Sequence, residues 1–330
     1  MILDTFQNRG IKRLVFILFC ITVLFWQKIS VVVEIALVQP VIPIDAILTS
    51  VTGGNIYLSA FLKILLLLMC SYAFIITLSL HDMLPKRKYL AVILFLAVTS
   101  VFADAQNIAG SVCALLFQQF VFYNIFRTYH SDKIKSSVFT AAFFAGISIM
   151  FSFSFIIIII SLIAGILIFG IATWRCIISM ITGLLAPFVF ALYFFQIAYH
   201  DVNLMLHSIG DNLKNISFSM IDFNNFSSLF LISVFIAVLL SLLKAIKYTK
   251  PIQKMENRLF YFTFVISVIV VVFVSGLKPY GVMMFGLSAA YLLARFSQLV
   301  RREWIAEFTV FAVLIAAVVY NNQMLFNNNG

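Results

Sequence analysis

The sequence predicts an all-α fold, a polytopic transmembrane helical bundle of about 11 spans with a cytoplasmic N terminus. Two features of composition and one of charge predict it. The chain has 330 residues, 63% of them hydrophobic and 10% charged, with 37 Phe. So few charges cannot cover a water-soluble surface. The apolar residues fall in long unbroken runs, which suit helices; a lipid-facing barrel needs alternation, and an open sheet leaves backbone groups unsatisfied in hydrocarbon. The basic residues cluster in short connections that alternate with those runs.

Taken in order, the runs are 13–27, 57–80, 89–102, 109–126, 135–150, 152–173, 177–198, 228–245, 259–275, 280–295 and 304–320. A crossing needs about 20 residues at about 1.5 Å rise, so several of these are short. The pair 135–150 and 152–173 is the ambiguous one. Its FSFSF junction (151–155) is either a tight turn or a kink within one long helix. The first run follows basic residues as a signal peptide would, but QKISVVVE comes next instead of a small-x-small cleavage site, so it reads as a retained helix.

Alternation from a cytoplasmic N terminus puts Arg9, Lys12, Arg13, Lys86, Arg87, Lys88, Arg127, Lys133, Lys135, Arg175, Lys244, Lys247, Lys250, Lys254, Arg258, Arg295, Arg301 and Arg302 on the cytoplasmic side. Only Lys28, Lys63, Lys214 and Lys278 remain for the outside or a span. The net charge of +10 is therefore topology and contact with anionic lipid. No soluble basic domain is present to hold a strand, so nucleic acid is not an expected partner. Cys20, Cys70, Cys113 and Cys176 fall in or at the ends of the runs with no CxxC spacing, and read as small packing residues.

The carboxylates distribute differently. Glu34, Asp45, Asp104, Asp201, Asp211 and Asp222 all lie in outside segments, half of the 12 acids. Segment 27–55 is broken by Pro40 and Pro43, after which IDAILTSV predicts a short surface helix ended by Gly53 and Gly54. Segment 198–227 predicts an amphipathic helix with His200, His207 and Asp211 on one face. Between the third and fourth runs lies the hairpin FADAQNIAG (102–110), with Asp104, Gln106 and Asn107. Each has a plain reading and a functional one. Asp104 is either a solvated helix cap or one wall of an outer polar cavity with Gln106 and Asn107. Glu34 stands alone in an apolar stretch. Asp45 either complements the dipole of the surface helix or acts as a base, since apolar surroundings raise a carboxyl pKa toward neutrality. Lys278, in SGLKPYG, is either a snorkelling end residue or a partner for a lipid-linked phosphate, in a loop fixed by Gly276, Pro279 and Gly281. Tyr280 stacks on a sugar or joins the aromatic belt. His200 and His207, with Asp201 or Asp211, are surface polar residues or metal ligands. Two histidines seven apart are about 10.5 Å apart along a helix, too far to chelate one ion alone.

This layout resembles the GT-C superfamily of integral-membrane glycosyltransferases: an entering helix, an acid-bearing outer segment with a surface helix, and an acidic hairpin between spans three and four. Seven spans precede a longer outer loop and a smaller closing set. The resemblance implies two units. One is a seven-span module over 1–198 with an acidic first outer loop at 27–56. The other, over 199–330, is the long outer loop plus a four-span module. It implies a sugar moved from a polyprenyl-phosphate donor to an acceptor on the periplasmic face, with Asp45 or Glu34 as base and Asp104 as second acid. Gln106, Asn107, His200, Asp201, His207, Asp211, Lys278 and Tyr280 would line the substrate sites. The expected partners are membrane lipid and the lipid-linked sugar; a divalent metal ion is a cofactor the reading leaves open. The stretch 126–195 also resembles an uncharacterised family of polytopic bacterial inner-membrane proteins, which implies that membrane as the location. No paired-acid motif and no large outer domain accompany the layout. A lipid or small-molecule transporter or flippase, and a non-enzymatic subunit of an envelope complex, are the alternatives.

Overall fold

The computed structural model describes residues 17–25, 52, 55–80, 82–84, 88–102, 108–130, 133–199, 209–210, 251–273, 278–300 and 303–327. Among these there are helices and no strand. Helix α1 covers 17–25 within the first predicted run. Then come α2 (Ile56–Ser79), α3 (Lys88–Phe102), α4 (Ile108–Arg127), α5 (Ile134–Phe151), α6 (Ile158–Ile168), α7 (Trp174–Tyr199), α8 (Pro251–Phe273), α9 (Lys278–Leu299) and α10 (Glu303–Asn327). Four helical stretches are long and apolar enough to cross a membrane: Tyr57–Ser79, Ile108–Arg127, Ile134–Phe151 and Trp174–Ile197. The predicted run 228–245 lies outside the described residues.

Local chemistry explains several boundaries. Asn55 caps α2, its side-chain oxygen accepting from Tyr57 N at 3.0 Å and Leu58 N at 3.3 Å. The FSFSF junction is a break: α5 stops at Phe151, Ser152 is extended, and a 3-10 turn over Phe153–Ile157 leads into α6. Of the two readings open in the sequence, the tight turn is the one adopted. Helix α8 starts at Pro251, well before the apolar run at 259, because a proline is tolerated in a first helical turn and the polar residues after it continue the helix. Lys278, Pro279, Tyr280 and Gly281 form the first turn of α9, so the loop expected around Lys278 is corrected to helix; Gly276 lies outside the described residues.

Contacts between helices fix their directions. Ser148 Oγ, near the end of α5, donates to Ala114 O near the start of α4 at 2.8 Å. Ser179 Oγ, near the start of α7, donates to Lys135 O near the start of α5 at 2.8 Å. Helices α4 and α5 are thus antiparallel, and α5 and α7 parallel. Phe260 stacks on Tyr291 with ring centroids 4.2 Å apart, and Phe264 meets Phe285 at 4.9 Å, so α8 and α9 run antiparallel. Helix α3 is the centre of the bundle: every residue from Leu90 to Val101 is buried, as a helix apolar on all sides requires. Helix α7 is the opposite case. Only 11% of its apolar window is buried, and Ile177, Ile181, Leu185, Val189 and Tyr193 form an outward face suited to lipid. It is held to α5 by small residues. A Cβ on Gly183 would stand 2.5 Å from Phe139 O, and one on Gly146 would stand 2.8 Å from Leu184 O and 2.9 Å from Pro187 Cγ. Backbones approach closely there because there is no hydrophobic drive between helices in lipid, and dispersion needs contact.

Candidate functional site

The helix directions sort the described side chains to two ends. One end gathers the start of α3 with Lys88, the end of α4 with Arg127, the start of α5 with Lys133 and Lys135, the start of α7 with Arg175, the start of α8 with Lys254 and Arg258, and the end of α9 with Arg295. This agrees with the charge alternation read from the sequence. The other end gathers Asn55, the α3–α4 connection, the end of α5 and the start of α9.

Glu34, Asp45, Asp104, Gln106, Asn107, His200, Asp201, His207 and Asp211 lie outside the described residues. The elements that flank them are described. The 103–107 connection leaves α3 after Phe102 and enters α4 at Ile108. Lys278 and Tyr280 open α9, on the same side of the bundle. This follows from one close approach: a Cβ on Gly286 would stand 2.6 Å from Thr99 Cγ2, which places these residues side by side. From that point α3 continues three residues to its end and α9 runs back eight to Lys278. At about 1.5 Å per residue, Lys278 stands roughly 7–8 Å beyond the end of α3, on the side of the 103–107 connection.

One cation is sealed inside. Lys63 of α2 is 3% exposed. It sits seven residues before Cys70, on the same helix stripe, and the Cys70 sulfur accepts from Gln119 Nε2 of α4 at 3.2 Å. Lys63 therefore lies on the α2 face that meets α4, in the half of the helix nearer to Asn55.

A second polar centre, not foreseen in the sequence, occupies the basic end. Glu256 and Asn257 of α8 are buried, as are Tyr291 and Arg295 of α9. The Tyr291 hydroxyl donates to Asn257 Oδ1. Arg295 Nη1 makes long contacts to Met83 O at 3.4 Å and to Tyr291 Oη at 3.5 Å. Gln253 Nε2 donates to Asp82 O at 3.3 Å, and Asp82 holds a left-handed φ of 51°. The first two turns of α8 and the last turns of α9 thus grip the turn that follows α2. Glu256 precedes the apolar run of α8. Burial pushes its carboxyl up to about 8, and the nearby Arg295 charge opposes that rise. The sequence did hold the signal: Tyr291 and Arg295 are four apart on one helix face, and Pro251 marks a helix start that brings Glu256 inside. Glu256 stands before the apolar run that begins at 259, so apolar patterning alone leaves it in a connection.

Cys20, Cys70, Cys113 and Cys176 are buried thiols outside any disulfide, in keeping with a packing role. Among the described residues no group of three or more His, Cys, Asp or Glu side chains is placed to hold a metal ion. No family model, no curated protein and no solved structure matches the chain.

Proposed function

We propose that this membrane protein is a GT-C-like glycosyltransferase that moves a sugar from a polyprenyl-phosphate donor to an acceptor, at the face opposite its basic residues in a bacterial inner membrane. The observation that supports this is that the described helix ends flanking the candidate site residues share one side of the bundle. The connection bearing Asp104, Gln106 and Asn107, the entry to α2 that follows Asp45, and the first turn of α9 with Lys278 and Tyr280 all belong to the far end of the bundle. In this reading Asp45 or Glu34 takes the proton of the acceptor hydroxyl as its oxygen attacks the anomeric carbon, and the polyprenyl phosphate leaves. Lys278 offsets the charge of the leaving phosphate, and Lys63 is a second cation on the same half of the bundle. Asp104, Asn107 and the His200–Asp211 segment shape the sugar and acceptor sites.

The test uses the full chain in lipid nanodiscs with radiolabelled polyprenyl-phosphate hexose. The expected result is release or transfer of labelled sugar by the parent protein and its loss in Asp45→Asn and Asp104→Asn. Absence of turnover across a panel of such donors sinks the proposal. A transporter is the second reading, and the burial of Lys63 within α2 favours it, since intramembrane charges mark solute paths. It predicts solute uptake into proteoliposomes that Lys63→Met abolishes. A structural subunit of an envelope complex predicts that alanine at Asp45, Asp104 and Lys278 is tolerated.

A further inference from the structure

Gln118 stands at the middle of α4, roughly 15 Å along the axis from Ile108, which is half the thickness of a bilayer's hydrocarbon. It is fully buried, and neither its amide nitrogen nor its amide oxygen has a hydrogen-bond partner. Turning the amide over changes nothing, because both atoms lack one. Such a group is costly in a dry interior, and buried polar atoms in folded proteins are satisfied by protein or by ordered water.

The direction in which Gln118 faces follows from its helix. It lies seven residues before Ile125, within roughly 20° of the same stripe. Ile125 Cγ2 is 3.0 Å from the position of a Cβ on Gly165 of α6. One turn before Gly165 on α6 comes Ser161, 1% exposed, whose hydroxyl also has no partner. Phe126 also meets Phe169, just past the end of α6, so α4 and α6 run parallel, and Ser161 and Gln118 lie within one turn of each other in depth. Phe122, one turn from Gln118, meets Phe260 of α8 at 5.3 Å. Seven residues beyond Phe260, on the same stripe, is buried Ser267. Its hydroxyl hydrogen goes to Thr263 O at 2.6 Å, leaving its oxygen able to accept.

We propose that the seam between α4, α6 and α8 holds ordered water at the centre of the bundle, bound by the Gln118 amide and the Ser161 hydroxyl. The amide offers two donors and an accepting oxygen, and the hydroxyl offers one donor and two lone pairs. That meets the two to four partners a buried water requires. Both groups are uncharged, so the site takes a neutral molecule. It is independent of the acids and lysines of the far end and of the Glu256 centre, and it gives the bundle a hydrated point at midplane that hydropathy alone does not show.

X-ray radiolytic hydroxyl labelling of the full chain in nanodiscs, read by mass spectrometry, tests this. Radicals formed from a bound water mark the side chains beside it even where bulk solvent does not reach. Phe122 and Phe95 are equally buried, and Phe95 lies in the apolar centre of α3. The expected result is labelling of Phe122 several-fold faster than Phe95, falling to the Phe95 rate in Gln118→Leu. Equal rates for the two phenylalanines in the parent protein overturn the proposal. So does a rise in thermal midpoint on Gln118→Leu, which is the response of a dry, orphaned amide being removed. Should Gln118→Leu fail to fold, Ser161→Ala removes a single oxygen and carries the same readout: slower Phe122 labelling supports the site, and unchanged labelling overturns it.

Discussion

Replacing Arg295 by methionine tests the buried centre at the basic end. Arg295 is 5% exposed and Glu256 is 0% exposed, so neither charge is shielded by water. Methionine keeps much of the arginine stem's volume and removes the charge. Breaking a buried charge pair by deleting one member costs about 3–5 kcal/mol, because the other is left buried and uncompensated. The cost depends on the ionisation of Glu256. Its folded value, raised from 4.5 to about 8, means that the folded state holds the proton more tightly than the unfolded chain. The stability linked to that proton is full below about pH 4.5 and is lost as pH rises through about 8. Removing the Arg295 charge takes away the influence that holds the value down, so the loss then extends to higher pH.

The assay is the thermal midpoint in detergent, followed by tryptophan fluorescence at pH 6 and at pH 8.5. Arg295→Met is expected to lose stability at both, and more at pH 8.5, where on the order of 3–5 kcal/mol applies. Glu256→Gln is expected to flatten the fall of the parent midpoint over this range. The pair Glu256→Gln with Arg295→Met is expected to recover most of the single-variant loss, since two neutral groups then face each other. An equal loss at both pH values, or a double variant no better than Arg295→Met alone, refutes the coupling.

Two further perturbations test the frame that positions the ends. Gly183→Ala forces a Cβ to within 2.5 Å of Phe139 O, a helix backbone atom that cannot swing aside. It should lower stability by about 1–3 kcal/mol; unmasking of the four buried thiols by a fluorogenic dye on heating reads this directly. Gly210→Ala, where no atom lies within 4 Å, should leave that midpoint unchanged. Asn55→Ala removes the oxygen that caps α2 and should cost about 1 kcal/mol, with Asn55→Gly costing only a few tenths; loss of equal size in both variants, by the same assay, rejects the cap.

Helices with clear caps or long apolar runs were legible in the sequence. The run 57–80 became α2 because Asn55 caps it and Leu, Ile and Phe recur along its whole length. The run 135–150 became α5 to within a residue at each end. Charge alternation gave the two ends correctly, because Lys88, Arg127, Lys135 and Arg175 sit at helix ends where a bilayer would exclude them. What stayed hidden was polarity inside helices. Glu256 sits in KMENR, which reads as a solvated cytoplasmic loop until Pro251 is taken as a helix start. Gln118 sits in LLFQQFVF, where one glutamine bonds across to Cys70 and the other faces the opposite seam. Sequence spacing alone does not say which neighbour each stripe will meet. The hairpin residues Asp104, Gln106 and Asn107 lie outside the described residues, between the helix that ends at Phe102 and the one that starts at Ile108.

The distribution of charge carries the functional argument one step further. Among the described residues the acids are Asp82, Glu256, Glu303 and Glu307, and all four stand at the basic end, where cations outnumber them. An acid in that setting has compensation close by, and a structural role is enough to account for it. The six carboxylates assigned to the outer segments have a different balance. Beyond them only Lys28, Lys63, Lys214 and Lys278 remain on that side, and Lys63 is sealed between α2 and α4. In the proposed reading these acids work with few cations on their side of the bundle. A general base near neutral pH needs its carboxyl held toward neutrality; at the basic end burial does this to Glu256, with Arg295 opposing the rise. The same membrane rule that sends lysine and arginine to one face separates the cation-flanked Glu256 from the outer acids to which the proposed reading assigns proton abstraction.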